Sequence, residues 1–304
     1  MNVILWINSP NSQFAVTAIN ILTNKYDNVN ILGVTNISHP FVSNDNGDGM
    51  IKFIDKKDLS SYDYDIIVVV GSENSLMKDV SILSILKEAE KLELDSDKII
   101  LDITICFPGF SLERYKKLRK SKLSILSMNC WGGIIYHNFG QPFLSPTINM
   151  FTSDKDMLKF LHNPQHYINT ELRFYEMCSN DTFKNFPVFM LNDVKWIMNH
   201  YTNDFGGNIA RKKWEERILR INWFNLLVVM YTENPDILVE FDELPYAKKV
   251  CFVPFETNLD SGFYIPPDLV RGRNFGEVVT DIARGGIIYY DLWDMLIYGK
   301  KTTI

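Results

Sequence analysis

Short runs of residues that are apolar on both sides recur through the first 120 residues and constrain the fold more than any other feature. The runs are NVILWIN (2–8), VNILGVTN (29–36), YDIIVVVGS (64–72) and KIILDI (98–103). Between the first two, Phe14, Ala18 and Leu22 recur at helical spacing. Buried strands that alternate with amphipathic helices are typical of a parallel sheet covered by helices. We therefore predict an α/β fold whose first domain, residues 1–120, is a Rossmann-like open sheet.

The loops of this predicted sheet lack the residues that bind a dinucleotide. NSPNSQ follows the first strand where a dinucleotide fold carries GxGxxG, and Asn36 ends the second strand where an acidic residue would contact the ribose. We therefore predict no cofactor. After the third strand, Ser72 and Asn74 either contact a ligand or, in the case of Ser72, cap the following helix.

The chain changes character after the basic stretch RYKKLRKSK at 114–122, where we place the domain boundary. Beyond it, aromatic residues are frequent and strand–helix alternation is less regular. Apolar spacing predicts helices at 153–163 and 208–220, and FNLLVVMYT predicts a strand at 224–232. We expect residues 121–304 to form a mixed α/β domain with one sheet surrounded by helices.

Composition narrows the possible partners and compartment. The 304 residues carry a formal net charge of -6 at pH 7, and no basic stripe is suited to nucleic acid. No segment approaches the roughly 20 apolar residues of a transmembrane helix. The four cysteines, Cys106, Cys130, Cys178 and Cys251, form no CxxC motif. The pattern predicts free thiols and a cytoplasmic protein that binds a small molecule.

From Ser124 onward the order of short motifs resembles an uncharacterised bacterial family usually labelled exopolysaccharide biosynthesis protein. The motifs are LSILSMNCWGG (123–133), QPFLSPTINMF (141–151), LKFLHN (158–163), PVFMLNDVKWIMNHY (187–201) and KKWEERILRINWFNLLVVM (212–230). The resemblance covers most of residues 123–255. It implies a role close to the assembly of exopolysaccharide or another cell-surface glycan, and it implies no particular reaction.

Cys130 is the predicted nucleophile. It follows an apolar run and precedes Gly132 and Gly133, where backbone can approach a substrate. His200 ends a second strand-like tract and is the predicted base, and Asp193 is the predicted group that orients it. We expect both tracts to end at one edge of one sheet, which would bring the thiol and the imidazole together. Alternatively, Cys130 is a small buried side chain at a tight turn.

The predicted substrate contacts surround these motifs. They are Asn129, Trp131, Gly132, Gly133, Ser145, Tyr201, Arg217 and Arg220. In WEERILRIN, Arg217 and Arg220 are three residues apart, so both guanidinium groups project from one face of a helix and suit phosphate or carboxylate. The alternative is an ion-pair network with Glu215, Glu216 or Asp193.

These residues predict a transferase or hydrolase that uses a Cys–His pair on a glycan precursor. The alternative is a non-catalytic binding or scaffolding component that recognises a nucleotide sugar or glycan precursor. His162 and His166 have the spacing of two metal ligands on a helix, but Pro164 interrupts it and no HExxH motif occurs. We therefore predict no metal site.

Overall fold

The computed structural model describes residues 1–7, 13–35, 52–70 and 82–304. The chain divides into two compact units, one made of residues 1–116 and 137–142 and the other of residues 117–136 and 143–304. Both units combine helices with sheets, so the predicted α/β class is confirmed. The predicted boundary at residue 120 stays a prediction. Ser72, Asn74, Asn36 and the loop NSPNSQ up to residue 12 lie outside the described residues.

The first unit is built on a four-stranded sheet with the order β2-β1-β3-β4, in which every neighbouring pair is parallel. Its strands are β1 (Asn2–Ile7), β2 (Asn30–Thr35), β3 (Ile66–Val70) and β4 (Ile99–Leu101). Its helices are α1 (Gln13–Lys25), α2 (Ile82–Lys91), α3 (Asp102–Cys106) and α4 (Leu112–Ser121), whose last turn enters the second unit. All five residues of β3 are buried, as its unbroken apolar sequence predicts. The narrower Rossmann-like assignment stays a prediction.

The second unit contains two sheets rather than the single sheet that we predicted. The first is parallel, with the order β11-β10-β9-β5, and its strands are β5 (Ser124–Ser127), β9 (Leu226–Tyr231), β10 (Lys249–Val253) and β11 (Gly262–Tyr264). The second is an antiparallel meander of β6 (Leu172–Cys178), β7 (Phe186–Leu191) and β8 (Val194–Ile197). The turn Asn192–Asp193, with Asn192 at φ 57°, is short enough to force antiparallel pairing of β7 and β8.

The helices of the second unit pack around these sheets. They are α5 (Trp131–Asn138), α6 (Asp154–His162), α7 (Pro164–Ile168), α8 (Asn208–Ile218), α9 (Pro235–Asp242), α10 (Pro267–Val270), α11 (Phe275–Arg284) and α12 (Leu292–Tyr298). Ser153 accepts a hydrogen bond from the Asp156 amide at 3.1 Å, which confirms the predicted start of α6. None of the described helices is long and apolar enough to cross a bilayer.

One buried cluster joins the parallel sheet to the meander. It includes Leu126 of β5, Val228 of β9 and Trp196 of β8. Between the sheets runs the segment Phe151–Thr152. Phe151 and Ile197 exchange two backbone hydrogen bonds of 2.8 Å, and the Thr152 amide donates to the Met128 carbonyl at 2.9 Å. This segment therefore fixes the residues after β5 relative to the residues after β8.

Candidate functional site

Cys130 lies at the amino end of α5, just after β5. The Ile134 amide donates to the Cys130 carbonyl at 3.0 Å, which starts the helix, and the Trp131 amide donates to Asn129 Oδ1 at 3.1 Å. The amino end of a helix carries a partial positive charge, which favours a thiolate. The cysteine is half-buried.

The structure brings His200 to this cysteine. His200 follows β8 in a tight turn, in which the Tyr201 amide donates to the Met198 carbonyl at 3.0 Å. Its Nε2 atom lies 3.2 Å from Cys130 Sγ, and the ring of Phe183 packs against the imidazole with 5.0 Å between ring centres. The predicted pair therefore exists as a contact, although its two members follow strands of different sheets. The catalytic roles of both residues stay predictions.

Both members of the pair are neutral at pH 7. Burial raises the pKa of the Cys130 thiol to about 11, and Arg284 opposes part of this shift. Burial, and then the charge of Arg284, lower the pKa of His200. A neutral imidazole can accept the thiol proton, so the pair suits proton transfer during nucleophilic attack rather than a preformed thiolate–imidazolium pair.

One face of α11 lines the site, which the sequence patterns did not reveal. Gly276, Thr280 and Arg284 are four residues apart and so share that face. A Cβ atom on Gly276 would lie 2.4 Å from the hydroxyl of Tyr231, Thr280 Oγ1 lies 3.4 Å from Asn129 Nδ2, and Arg284 shifts the pKa of both members of the pair. In the sequence, this face is visible as three residues at every fourth position of an amphipathic segment.

An open cleft of about 440 Å³ lies at the carboxyl ends of β5 and β9, where α/β folds commonly bind ligands. Its lining residues are Met128, Phe151, Ser153, Asp154, Tyr231, Thr232, Glu233 and Asn234. Met128 is two residues from Cys130. Burial raises the pKa of Tyr231 to about 12, so its hydroxyl keeps its proton and is a hydrogen-bond donor. The cleft therefore offers apolar and polar contacts at the carboxyl end of β5, although the thiol of Cys130 does not itself line it.

The space that we expected beside Gly132 and Gly133 is filled. The Gly132 amide donates to Ser127 Oγ at 3.1 Å, and a Cβ on Gly132 would lie 2.7 Å from that oxygen. A Cβ on Gly133 would lie 3.3 Å from Ile148 Cγ2. Gly132 therefore permits the close packing of α5 on β5.

Two other predicted substrate contacts are also buried. Trp131 is 0 % exposed and packs against Phe252, with 6.1 Å between ring centres. Ser145 is 0 % exposed, and its hydroxyl lies 3.0 Å from Thr147 Oγ1. A ligand outside the protein reaches neither side chain in this conformation.

Arg217 is a buried cation with neutral partners. It is 8 % exposed and donates to the Tyr201 hydroxyl at 3.0 Å and to the Ile148 carbonyl at 3.3 Å. Within the described ranges, no carboxylate oxygen lies within 4.0 Å of its guanidinium group. Its contact with Tyr201 ties Arg217 to the residue that follows His200. A buried cation without a carboxylate suits an anionic ligand.

Arg220 does not share the position of Arg217. Helix α8 ends at Ile218, two residues before Arg220, so the predicted helical spacing does not extend to it. Arg220 is exposed, and its backbone amide donates a hydrogen bond to the Arg217 carbonyl at 3.0 Å. The prediction that both guanidinium groups project from one helical face is therefore wrong.

Asp193 is also too far away to orient His200. It lies before the four-residue strand β8, whereas His200 lies after it, and the strand alone spans roughly 13 Å. Its carboxylate accepts a hydrogen bond from the Tyr167 hydroxyl at 2.9 Å and pairs with Lys159 at 3.5 Å. The turn that precedes β8 thus places Asp193 at the wrong end of the strand.

His162 and His166, which have the spacing of two metal ligands, lie on different helices, α6 and α7. His162 Nε2 lies 2.7 Å from Glu240 Oε1 on α9. Within the described ranges, no three His, Cys, Asp or Glu side chains converge on a common point.

The fold and the site thus define an α/β protein that has a Cys–His contact and an open cleft, both near the carboxyl end of β5. The chain belongs to the family described as a domain of unknown function, DUF1919, which matches residues 104–293 and so includes Cys130, His200, Arg217 and Arg284. It is also similar to a Haemophilus influenzae protein described as uncharacterized. The two are 31 % identical over 185 residues, which is 59 % of this chain and 84 % of that protein.

Proposed function

We propose that this protein is an acyl transferase or acyl hydrolase that uses Cys130 as its nucleophile and His200 as its base. The observation that carries the proposal is the 3.2 Å contact between Sγ and Nε2 at the amino end of α5. A thiol paired with an imidazole is suited to attack on the carbonyl carbon of an ester, amide or thioester. In this proposal, the cleft at the carboxyl ends of β5 and β9 supplies space for the substrate.

The reaction proceeds through a thioester. Cys130 Sγ attacks the acyl carbon while its proton passes to His200 Nε2, and the bond from that carbon to the leaving oxygen, nitrogen or sulfur breaks as His200 returns the proton to that atom. Water or an acceptor hydroxyl then attacks the thioester, giving its proton to His200, which reprotonates the departing sulfur. Arg284 stabilises negative charge that develops beside the thiol.

The proposed substrate is an anionic precursor of exopolysaccharide or another cell-surface glycan. Arg284, whose charge acts on the thiol, and Arg217, which contacts the residue after His200, favour a substrate that carries phosphate or carboxylate. The resemblance of the motifs from Ser124 onward to proteins labelled exopolysaccharide biosynthesis supports the glycan class. A cytoplasmic location, where such precursors are made, is part of this proposal.

The proposal is tested by trapping the thioester. The protein is mixed with p-nitrophenyl acetate, quenched in acid, digested and analysed by mass spectrometry. We expect acetylation of Cys130, reversed by hydroxylamine. His200→Gln should slow both acylation and turnover by about 10²–10⁴-fold, whereas Cys106→Ala, at an exposed thiol, should change neither. Acetate found only on other residues, or equal turnover after Cys130→Ala, would exclude the mechanism.

One observation favours a non-catalytic binding component instead. Arg217 is buried among neutral partners, which an anion site explains without any chemistry at Cys130. If the protein has this function, Cys130→Ala should leave its affinity for a nucleotide sugar such as UDP-glucose unchanged. Arg217→Met should weaken that affinity. A protein that binds UDP-glucose in this way but never acylates Cys130 would be a binding component.

A further inference from the structure

The loop between α8 and β9, residues 219–225, exposes two large apolar side chains. Leu219 is 85 % exposed and Phe224 is 103 % exposed. The loop is held in place by hydrogen bonds to the backbone that follows α4. Asn222 Nδ2 donates to the Lys122 carbonyl at 3.0 Å, and Asn225 Nδ2 donates to the Ser121 carbonyl at 2.9 Å. Leu219 and Phe224 are therefore displayed by an anchored loop.

Cations surround this loop. Lys122 adjoins Asn222, and Lys248 Nζ donates to Asn225 Oδ1 at 2.9 Å. Burial, and then the charge of Lys117, lower the pKa of Lys248, so these two lysines are close together. Lys117 and Lys300 also lie over the ring of Tyr298, at 4.4 and 5.5 Å from its centre. The positive charges are thus concentrated around one exposed apolar tip.

Within the part of the chain that the structure describes, these cations form no close ion pairs with carboxylates. Within the described ranges, no carboxylate lies within 4.0 Å of the side-chain nitrogens of Lys117, Lys122, Arg220 or Lys300. Glu216, the acidic residue nearest in sequence to Arg220, pairs with Lys213 at 3.3 Å, and this pair lowers its pKa more than the charge of Arg220 does. The whole chain has a net charge of -6, so this local excess of positive charge contrasts with the rest of the molecule.

We propose that this surface, formed by Lys117, Lys122, Leu219, Arg220, Phe224 and Lys300, docks on an anionic lipid bilayer. Lysine and arginine are attracted to anionic headgroups, and an aromatic and an aliphatic side chain enter the boundary between headgroups and acyl chains. Each part alone gives weak, reversible binding, and the two together give a stable association. Nucleic acid offers negative charge but no apolar phase, so its binding would leave Leu219 and Phe224 in water. A bilayer offers both, and is therefore the favoured partner.

This surface is separate from the Cys–His pair. Loop 219–225 precedes β9, whereas Cys130 follows β5, and Ser124 pairs with Leu226 in parallel register. The loop and the cysteine therefore lie at opposite ends of the parallel sheet. Docking would leave the cleft open to solvent on the side away from the lipid. Membrane binding by this surface therefore does not depend on the proposed chemistry at Cys130.

Vesicle sedimentation with the full chain tests the inference. We expect binding to vesicles of phosphatidylcholine and phosphatidylglycerol, none to phosphatidylcholine alone, and loss of binding in high salt. Phe224→Ser should lower the partition coefficient about tenfold, which corresponds to about 1.4 kcal/mol. The double variant Lys122→Gln, Arg220→Gln should lower it by about tenfold or more.

Matched controls separate the surface from general charge and apolarity. Phe205→Ser removes an aromatic side chain that is 66 % exposed elsewhere, and Lys155→Gln removes an exposed lysine on α6; neither should change binding. Equal binding to neutral vesicles, or no effect of Phe224→Ser, would overturn the inference. So would a single-stranded oligonucleotide that binds this surface more tightly than vesicles do. Acylation of Cys130 in Phe224→Ser should be unchanged, so failure here is distinct from failure of the proposed mechanism.

Discussion

The sulfur of Cys130 and the imidazole of His200 lie 3.2 Å apart, although one follows the parallel sheet and the other follows the antiparallel meander. The segment Phe151–Thr152 joins the two sheets, because it bonds to Met128 on one side and to Ile197 on the other. The geometry of the pair is therefore set by the packing between sheets as well as by the edge of one sheet.

The reactivity of Cys130 should depend steeply on pH. Because its pKa is raised to about 11, the thiol is protonated at pH 7 and its thiolate fraction rises about tenfold per pH unit up to that pKa. We expect iodoacetamide to label the exposed Cys106 faster than Cys130 at pH 7, which reverses the expectation from an activated thiol. Labelling rates by peptide mass spectrometry from pH 6 to 11 check this. A plateau for Cys130 below about pH 8 would contradict it.

Arg284→Gln should raise the pKa of both Cys130 and His200. The guanidinium charge favours the thiolate and disfavours the imidazolium, so its removal shifts both pKa values upward. The pH dependence of alkylation reports the thiol, and NMR titration of the imidazole reports His200. Arg284→Lys should largely restore both values.

Arg273 provides a matched control for the charge effect of Arg284, because both arginines pair with Asp281. Arg273 pairs with Asp281, as Arg284 does at 3.3 Å, but the pKa shifts of Cys130 and His200 do not depend on it. Arg273→Gln should therefore leave both titrations unchanged. Equal shifts in the two variants would show that disruption around Asp281, rather than the charge of Arg284, is responsible.

Gly132→Ala should destabilise the protein and separate the Cys–His pair. The new methyl group would lie 2.7 Å from Ser127 Oγ, so α5 must move away from β5 and carry Cys130 with it. We expect a loss of about 1–3 kcal/mol in the free energy of unfolding, measured by urea denaturation. Gly133→Ala is the control, since its methyl group would lie 3.3 Å from a side-chain carbon and helix propensity favours alanine. Equal losses in the two variants would refute the packing explanation.

Phosphate should stabilise the protein through Arg217 and not through Arg220. Arg217 is buried without a carboxylate, whereas Arg220 is exposed beyond the end of α8. An anion that binds only the folded protein at 100 times its Kd adds about 2.7 kcal/mol of stability, so inorganic phosphate should raise Tm. We expect Arg217→Met to lose this increase and Arg220→Met to keep it. An unchanged increase in Arg217→Met would place the anion elsewhere.

Strands β1 to β4 and β9, and helices α6 and α8, were predictable from local apolar patterns. Strand β3 is buried along its whole length, and α6 starts at its predicted Ser153 cap. The reason for the Cys–His contact was not predictable. The two tracts were assigned to one sheet, because local patterns do not show which strands pair over long distances.

The wrong assignments have local physical causes. Asp193 was placed near His200 because it is close in sequence, but an extended strand separates them. Arg220 was placed on α8 because its spacing is helical, but the helix stops at Ile218. Arg284 was missed because it lies far along the chain from Cys130 and reaches it only through the packing of α11.

The position of β5 has a consequence for how the protein folds during synthesis. Among the described strands, β5 is at the edge of its sheet and pairs with β9 alone, so Ser124 finds its partner Leu226 about 100 residues further along the chain. Such a distant contact makes formation of this sheet slow. The segment carrying Cys130 therefore leaves the ribosome well before any strand can bond to it. Until Tyr231 has emerged, the nascent chain holds an unpaired apolar strand and a cysteine with no fixed neighbours, which is the stage at which it depends most on chaperones.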